Sequence, residues 1–407
     1  MSKRRLLAFG AFSDDDRVRY TMTLKLSERA DVITQSEIRI MSVECERVGG
    51  VNLSQGVCDT EIPLPVRRAA QEAIETGINT YTRLEGLIEL RTAIANKLAR
   101  YNGLRYDPET EIIVSAGATG GFYCACLALL NPSDEVILFE PYYGYHLNTL
   151  LALSAVPTYV TLKPPEWTFP ARDLEAVVTP RTRGIVINTP ANPSGKVFTR
   201  TELELIADFA NRHDLFVLTD EIYEHFLFDR RQHVSPAVLP GMHERTITVS
   251  GASKTFSITG WRIGWSACSR RWTPLIGALN DLVYVCAPAP LQSGVAVGLE
   301  KLGPDYYESL IREYAVKRDK ICGALSKAKL TPFVPQGAYY VLADVSRLPG
   351  GNSKERAMYL LERTGVASVP GSAFYHGSDG EELVRFCFAK KDEDLDRACR
   401  QLENLKV

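Results

Sequence analysis

The stretch Ser250-Gly251-Ala252-Ser253-Lys254-Thr255-Phe256-Ser257-Ile258-Thr259-Gly260-Trp261-Arg262-Ile263-Gly264-Trp265 follows an apolar run with small residues, then a single lysine, then an arginine eight positions on. An amine attacks a carbonyl only when it is partly deprotonated, and both burial and a fixed neighbouring cation lower a lysine pKa. Arg262 is such a cation, and the small neighbours leave room for a bulky group beside Lys254. Taken singly, a Lys-Thr pair also suits an ordinary solvated helix start, so the meaning of Lys254 depends on what surrounds it.

Working outward, strand-like apolar runs alternate with amphipathic helical stretches from about Pro63 onward. That alternation is the signature of an α/β domain with a largely parallel sheet. Strands are expected at 111–114, 135–139, 156–160, 184–188, 215–219, 246–249 and 263–267, seven in all. Helices are expected between them at 119–130, 145–153 and 202–212, where apolar residues recur at three- and four-residue spacing. Past Pro290 the pattern changes to long helices, notably 305–328, with short strands near 339–344 and 383–388. A chain of 407 residues exceeds the size at which one core keeps growing, so two domains are expected. The large one is placed at 59–300, and the remainder, 1–58 and 301–407, forms an N-terminal arm and a smaller α+β domain.

Bulk properties narrow the function classes. With 47 basic against 49 acidic residues the formal charge is -2, which gives no electrostatic case for nucleic acid or an anionic membrane. No stretch approaches the roughly 18 uninterrupted apolar residues of a membrane span. The start, Met1 to Phe12, only faintly imitates a signal peptide and reads as a mobile arm. Nine cysteines scattered among apolar neighbours suit buried thiols in a reducing cytoplasm, and they show no disulfide framework and no metal-binding spacing.

Three further segments fall, like that of Lys254, at ends of expected strands, where ligands of open α/β sheets collect. Ser115-Ala116-Gly117-Ala118-Thr119-Gly120-Gly121 joins a strand to a helix, so free N–H groups at that helix start suit an anion such as phosphate. The same loop admits a dinucleotide reading, with Glu140 at the end of the next strand as the ribose-binding acid, although Ser115 stands where the first glycine belongs. Asn188-Thr189-Pro190-Ala191-Asn192-Pro193-Ser194-Gly195 is a turn fixed by Pro193 and Gly195 that aims the Asn192 amide into the crevice. Asp220-Glu221-Ile222-Tyr223 places an acid at the end of an apolar strand. Such a carboxylate is costly to bury without a partner, and it also suits a helix cap. Arg385, flanked by apolar residues in Leu383-Val384-Arg385-Phe386-Cys387-Phe388, presents a planar fork suited to a carboxylate.

Taken in order, these segments resemble the class I/II aminotransferases that use pyridoxal 5'-phosphate, of fold type I and aspartate aminotransferase-like, over roughly residues 50–390. The resemblance implies a large domain with a mostly parallel seven-stranded sheet, a smaller α+β domain onto which the N-terminal segment also packs, and a homodimer with shared active sites. It implies Lys254 as the Schiff-base lysine, Asp220 on the pyridinium nitrogen, and Tyr223 and Asn192 on the phenolic oxygen. Ala118, Thr119 and Arg262 match the phosphate positions, Tyr143 the aromatic platform, and Tyr81 a tyrosine reaching the phosphate from the neighbouring subunit. Arg385 and Gly56 match the site of the substrate α-carboxylate. The implied activity is ping-pong transfer of an amino group from an L-amino acid to a 2-oxo acid in the cytoplasm.

The chain also departs from the family pattern. Val57-Cys58-Asp59 stands where many relatives have an acidic residue, Pro and Asp, and Gly251 replaces a phosphate-binding serine, with Ser250 or Ser253 as candidate substitutes. No partner for a second substrate carboxylate is evident. Three other readings remain open at this point: a pyridoxal-dependent lyase or oxidative enzyme with the same anchors, a dehydrogenase using Gly117–Gly121, and a transcriptional regulator, for which the short arm before Gly56 leaves no room for an added DNA-binding domain.

Overall fold

The computed structural model describes Ser27, Ile33 and residues 35–405; the expected mobile arm at the start lies outside the described residues. The apolar runs form a seven-stranded sheet of β1 (Ile112–Ala116), β2 (Glu135–Glu140), β3 (Val156–Thr161), β4 (Thr182–Asn188), β5 (Phe216–Asp220), β6 (Thr246–Gly251) and β7 (Ile263–Ala267). The spatial order is β1-β7-β6-β5-β4-β2-β3. Pairings are parallel except around β7, which runs antiparallel to both β1 and β6. β2, β6 and β7 are buried at every position, the mark of a sheet covered on both faces by crossover helices.

The expected strands all form, with ends that move by a residue or two. The largest change at the site is β6, which continues through Ser250 and Gly251 because Trp265 and Gly264 of β7 supply ladder partners. Strand propensity gave no reason to extend a strand through Ser-Gly, and tertiary pairing decides it. The helix expected at 202–212 begins earlier, at Arg200. There Thr199 and Glu202 form a reciprocal capping box that satisfies the first free N–H groups.

A second, antiparallel sheet comprises β8 (Thr331–Phe333), β9 (Tyr340–Asp344), β10 (Val369–Pro370) and β11 (Leu383–Cys387), in the order β10-β11-β9-β8. Its core joins both parts of the chain: Met41, Cys45 and Leu53 pack with Ile321, Phe386 and Leu395. Val51–Asn52 also pairs in parallel with Val366–Ala367. The same core takes in Ile222, Tyr223 and Phe226 from the turn after β5, so the carboxyl edge of the large sheet is held against the second sheet. Among the described residues no helix is long and apolar enough to cross a membrane, and the nine cysteines are all free thiols.

Candidate active site

Register along the large sheet brings the separate segments to one edge. Ala116 pairs with Ile263, Gly251 with Gly264, Val249 with Asp220, and Asp220 with Asn188. With roughly 4.8 Å between neighbouring strands, the Gly117 loop, Arg262, the Lys254 turn, Asp220 and the Asn192 turn follow one another side by side. They open on a cavity of about 720 Å³, lined also by Gly56, Tyr143 and Arg385. Of the residues expected at the site, Tyr81 alone lies outside the cavity, 81% exposed.

Lys254 sits in the turn after β6, its Nζ donating to the Gly56 carbonyl at 3.1 Å and lying 5.9 Å from the ring centres of Tyr223 and Tyr339. Burial lowers its pKa below the usual lysine value. Arg262 reinforces the shift, while Cys58, Cys387 and Asp220 oppose it. The share of neutral, nucleophilic amine is thereby greater than for an exposed lysine.

At one end of the cavity the helix Gly117–Leu129 begins without a side-chain cap, leaving N–H groups at Ala118 and Thr119 for an anion. Glycine is required on both sides of this loop. Gly117 holds a left-handed backbone, φ 71°, which favours glycine, and a Cβ on Gly264 would come within 2.4 Å of the Ala118 nitrogen. Arg262 adopts a left-handed backbone with φ 55°, and its Nη1 donates to the Thr259 carbonyl at 3.0 Å.

Further along, Asp220 Oδ2 meets His146 Nε2 at 3.0 Å, and its Oδ1 accepts from the Ile222 N–H at 3.1 Å. No helix follows directly, so the carboxylate braces the turn after β5 rather than capping a helix, and it still faces the cavity. His146 stands edge-on to Tyr143, with ring centres 5.2 Å apart. The Tyr223 hydroxyl lies 2.9 Å from that of Tyr340, and burial raises the Tyr223 pKa well above its usual value, so it stays a neutral donor.

Arg385 is fully buried, stacked over Tyr340 with its guanidinium carbon 4.4 Å from the ring centre. It donates to Asn192 Oδ1 at 2.8 Å and to the Ser54 carbonyl. Its Nε has no partner among the described residues. Because Asn192 turns its oxygen to Arg385, its amide NH2 is left for a ligand. Gly56 meets Tyr340 so closely that a Cβ there would lie 1.9 Å from the tyrosine hydroxyl.

Sequence reasoning missed His146 and Tyr340. His146 belonged to a stretch read only for its apolar spacing, and the Tyr339-Tyr340 pair in a short strand looked like ordinary core. Two of the alternatives need correction. Ser250 does not reach the cavity; its hydroxyl donates to Glu224 Oε1 at 3.0 Å, whereas Ser253 lines the cavity. Glu140 is not a ribose-binding acid, since Thr161 Oγ1 and the His376 N–H, both at 2.8 Å, occupy its two oxygens away from the cavity.

These residues fit pyridoxal phosphate: an uncapped helix start and an arginine for its phosphate, an acid for its ring nitrogen, an amide and a phenol for its oxygen, and a buried amine for its aldehyde. Comparison with known proteins agrees. The family model for aminotransferase class I and II matches residues 48–402. A probable N-succinyldiaminopimelate aminotransferase of Mycobacterium tuberculosis is 38% identical over 90% of this chain and 94% of its own. The kynurenine–oxoglutarate transaminase of Dictyostelium discoideum is 35% identical over 95% of this chain and 98% of its own. The solved N-succinyldiaminopimelate aminotransferase of M. tuberculosis superposes with a TM-score of 0.91 at 37% identity, covering 94% of this chain and all of that one. Thermus thermophilus aspartate aminotransferase with maleate gives 0.87 at 30% identity, over 94% of this chain and all of that one. The chain belongs to the class I and II aminotransferases and is a pyridoxal-phosphate-dependent enzyme of fold type I.

Proposed function

We propose that Lys254 is the residue that carries the cofactor and that this cavity performs both halves of a ping-pong amino transfer between an L-amino acid and a 2-oxo acid. The observation that carries the proposal is the buried amine of Lys254, its pKa lowered by burial, set in one cavity with Ala118, Arg262 and Asp220. Bound here, pyridoxal phosphate would supply an aldehyde carbon to accept an amino group and a ring to delocalise the electron pair left at the substrate Cα. Asp220, oriented by His146, would hold a proton on the ring nitrogen. Tyr223 and the Asn192 amide donate toward the ring oxygen. Arg385 takes the substrate α-carboxylate in a two-pronged contact, which its orphan Nε and its stacking on Tyr340 prepare. With the cofactor bound, the Lys254 amine would take the proton from the substrate Cα as general base and deliver it as general acid to the cofactor's former aldehyde carbon.

Two features go with this reading. The helix Thr273–Tyr284 exposes Leu275, Leu282 and Val283, and its Asn280 donates to the Leu84 carbonyl beside the Tyr81 turn. A second copy covering this face would bury these side chains, which supports a homodimer, and the exposed Tyr81 is then the residue offered to the neighbouring site. The free thiols suit a reducing cytoplasm. Borohydride reduction of the loaded enzyme, followed by digestion, should place the cofactor mass on the peptide containing residue 254. Lys254→Ala should lose turnover, and a label elsewhere or an active variant would refute the assignment.

A further inference from the structure

On the far side of the turn that carries Asp220 and Tyr223 lies a buried polar cluster that amino transfer does not use directly. Successive side chains at a strand end point to opposite faces, so Asp220, facing the cavity, turns Glu221 away from it. Glu221 is fully buried and meets Ser235 Oγ at 2.6 Å, His233 Nε2 at 2.7 Å and Thr219 Oγ1 at 3.2 Å. Glu224, three residues on and 3% exposed, pairs with the Lys97 ammonium, itself 4% exposed. Glu224 also accepts from Asn102 Nδ2 at 2.8 Å and Ser250 Oγ at 3.0 Å. The Tyr101 hydroxyl donates to the Glu224 carbonyl at 2.7 Å.

Glu221, Glu224 and His233 bring their ligand atoms within 4.8 Å of one another, which by itself suits a metal ion. The cluster already contains a cation: the Lys97 Nζ is bonded to Glu224 and donates to Asn102 Oδ1 at 2.9 Å. Stability does not account for this pair, because well-packed apolar residues commonly replace a buried ion pair at no loss. Its connections do suggest a use. Glu224 follows Tyr223 directly, and Ser250 stands four residues before Lys254 on β6. A single carboxylate therefore ties the turn that holds the ring to the strand that delivers the amine, and anchors both on the helix Ile88–Lys97.

We propose that Lys97, Glu224 and Ser250 form a positioning device that fixes the Lys254 amine relative to Asp220 and Tyr223, so that Lys97 and Glu224 are positioning residues for amino transfer. The inference rests on the cofactor assignments made for Lys254, Asp220 and Tyr223. A misplacement of about 1 Å at a reacting centre costs on the order of a hundredfold in rate, which sets the scale expected for complete loss of the tie.

Two variants of the loaded enzyme test it. Ser250→Ala removes one link and leaves the ion pair intact, whereas the double variant Lys97→Met with Glu224→Met removes the pair without stranding a charge. Melting temperature, dissociation constant for pyridoxal phosphate, visible circular dichroism of the bound cofactor, kcat and KM are measured for each. Ser250→Ala should fold with a somewhat lowered melting temperature, as loss of a buried hydrogen bond to a carboxylate implies, and keep its cofactor affinity, while kcat per bound cofactor falls by roughly three- to tenfold at constant KM. The double variant should lose roughly ten- to a hundredfold and change the dichroism, which a purely structural role would leave alone. Parent kcat per bound cofactor in Ser250→Ala overturns the proposal, whether or not the double variant folds. Weaker cofactor binding at unchanged kcat in Ser250→Ala also overturns it, by assigning the hydroxyl to phosphate retention. A parent enzyme without amino transfer, or labelled away from Lys254, would instead defeat the proposed function.

Discussion

Gly264→Ala tests whether the loop after β1 holds the cofactor phosphate through its main chain. A Cβ at position 264 would lie 2.4 Å from the Ala118 nitrogen and 2.4 Å from the Gly117 carbonyl carbon, both backbone atoms that cannot swing aside as a side chain does. Ordinary contact begins at 3.4 Å, so the loop must withdraw by 1.0 Å. An N–H···O bond to a phosphate spans about 2.8 Å and is broken by such a displacement. Losing one hydrogen bond to a charged group costs about 1.5–3 kcal/mol, which at about 1.4 kcal/mol per decade raises the dissociation constant roughly ten- to a hundredfold. Overpacking also takes about 1–3 kcal/mol from stability. The assay is a titration of apoenzyme with pyridoxal phosphate followed by visible absorbance, beside a thermal melt. Gly323→Ala, where an added Cβ meets nothing within 4 Å, is the control that should bind as the parent does. Cofactor affinity within twofold of the parent in a destabilised Gly264→Ala would refute the reasoning, because the loop would then have moved without costing a phosphate contact.

Other substitutions probe the remaining groups. His146→Ala leaves Asp220 with only its Ile222 N–H bond, and kcat should fall by about tenfold, as loss of one charge-assisted hydrogen bond implies; steady-state rates in which KM alone changes would contradict this. Arg385→Lys cannot reproduce contacts to Asn192 and Ser54 together with stacking on Tyr340, so KM for the amino acid should rise at least about tenfold with cofactor affinity nearly unchanged. Because burial lowers the Lys254 pKa, the neutral amine fraction of the apoenzyme saturates at a lower pH than for free lysine. The rate of cofactor uptake, read by stopped-flow absorbance, should therefore climb with pH and level off below 10.5; a rate still climbing in proportion to hydroxide through that value would contradict the shift.

Much of this arrangement was legible in the sequence because local signals and global fold agree. The seven strands announced themselves as short apolar runs, and segments at their ends that each looked ordinary gained meaning from sharing that location. Register put Asn188 beside Asp220 and Gly251 beside Gly264, which no periodicity specifies but which follows once the strand order is known. Illegible were the groups that act through tertiary contact alone. His146 carries the apolar spacing of its helix, and only the meeting of that helix with the end of β5 turns it toward Asp220. Of the two serines that could replace the one missing at Gly251, sequence alone could not choose, because the choice depends on where the strand ends. The extension of β6 holds Ser250 in the ladder and turns its hydroxyl to Glu224.

The need for the second sheet follows from the same geometry. The large sheet supplies the Gly117 loop, Asp220 and the Lys254 turn, yet the groups proposed to receive a substrate carboxylate reach the cavity from elsewhere: Arg385, stacked on Tyr340 of β9, from β11, and Gly56 from the N-terminal side. Gly56 takes a hydrogen bond from Lys254 and packs against Tyr340, while Tyr340 meets Tyr223 from the turn after β5. The tyrosine contact lies within an apolar core that joins the second sheet to the turn after β5, and another core packs Leu342, Val369 and Leu383 of the second sheet with Ile137 and Ile187 of the large one, so the two cannot separate without exposing apolar surface. Cofactor grip and substrate grip are thus packed as one unit, and a substitution that loosens the docking of β9 should weaken substrate binding before it releases the cofactor.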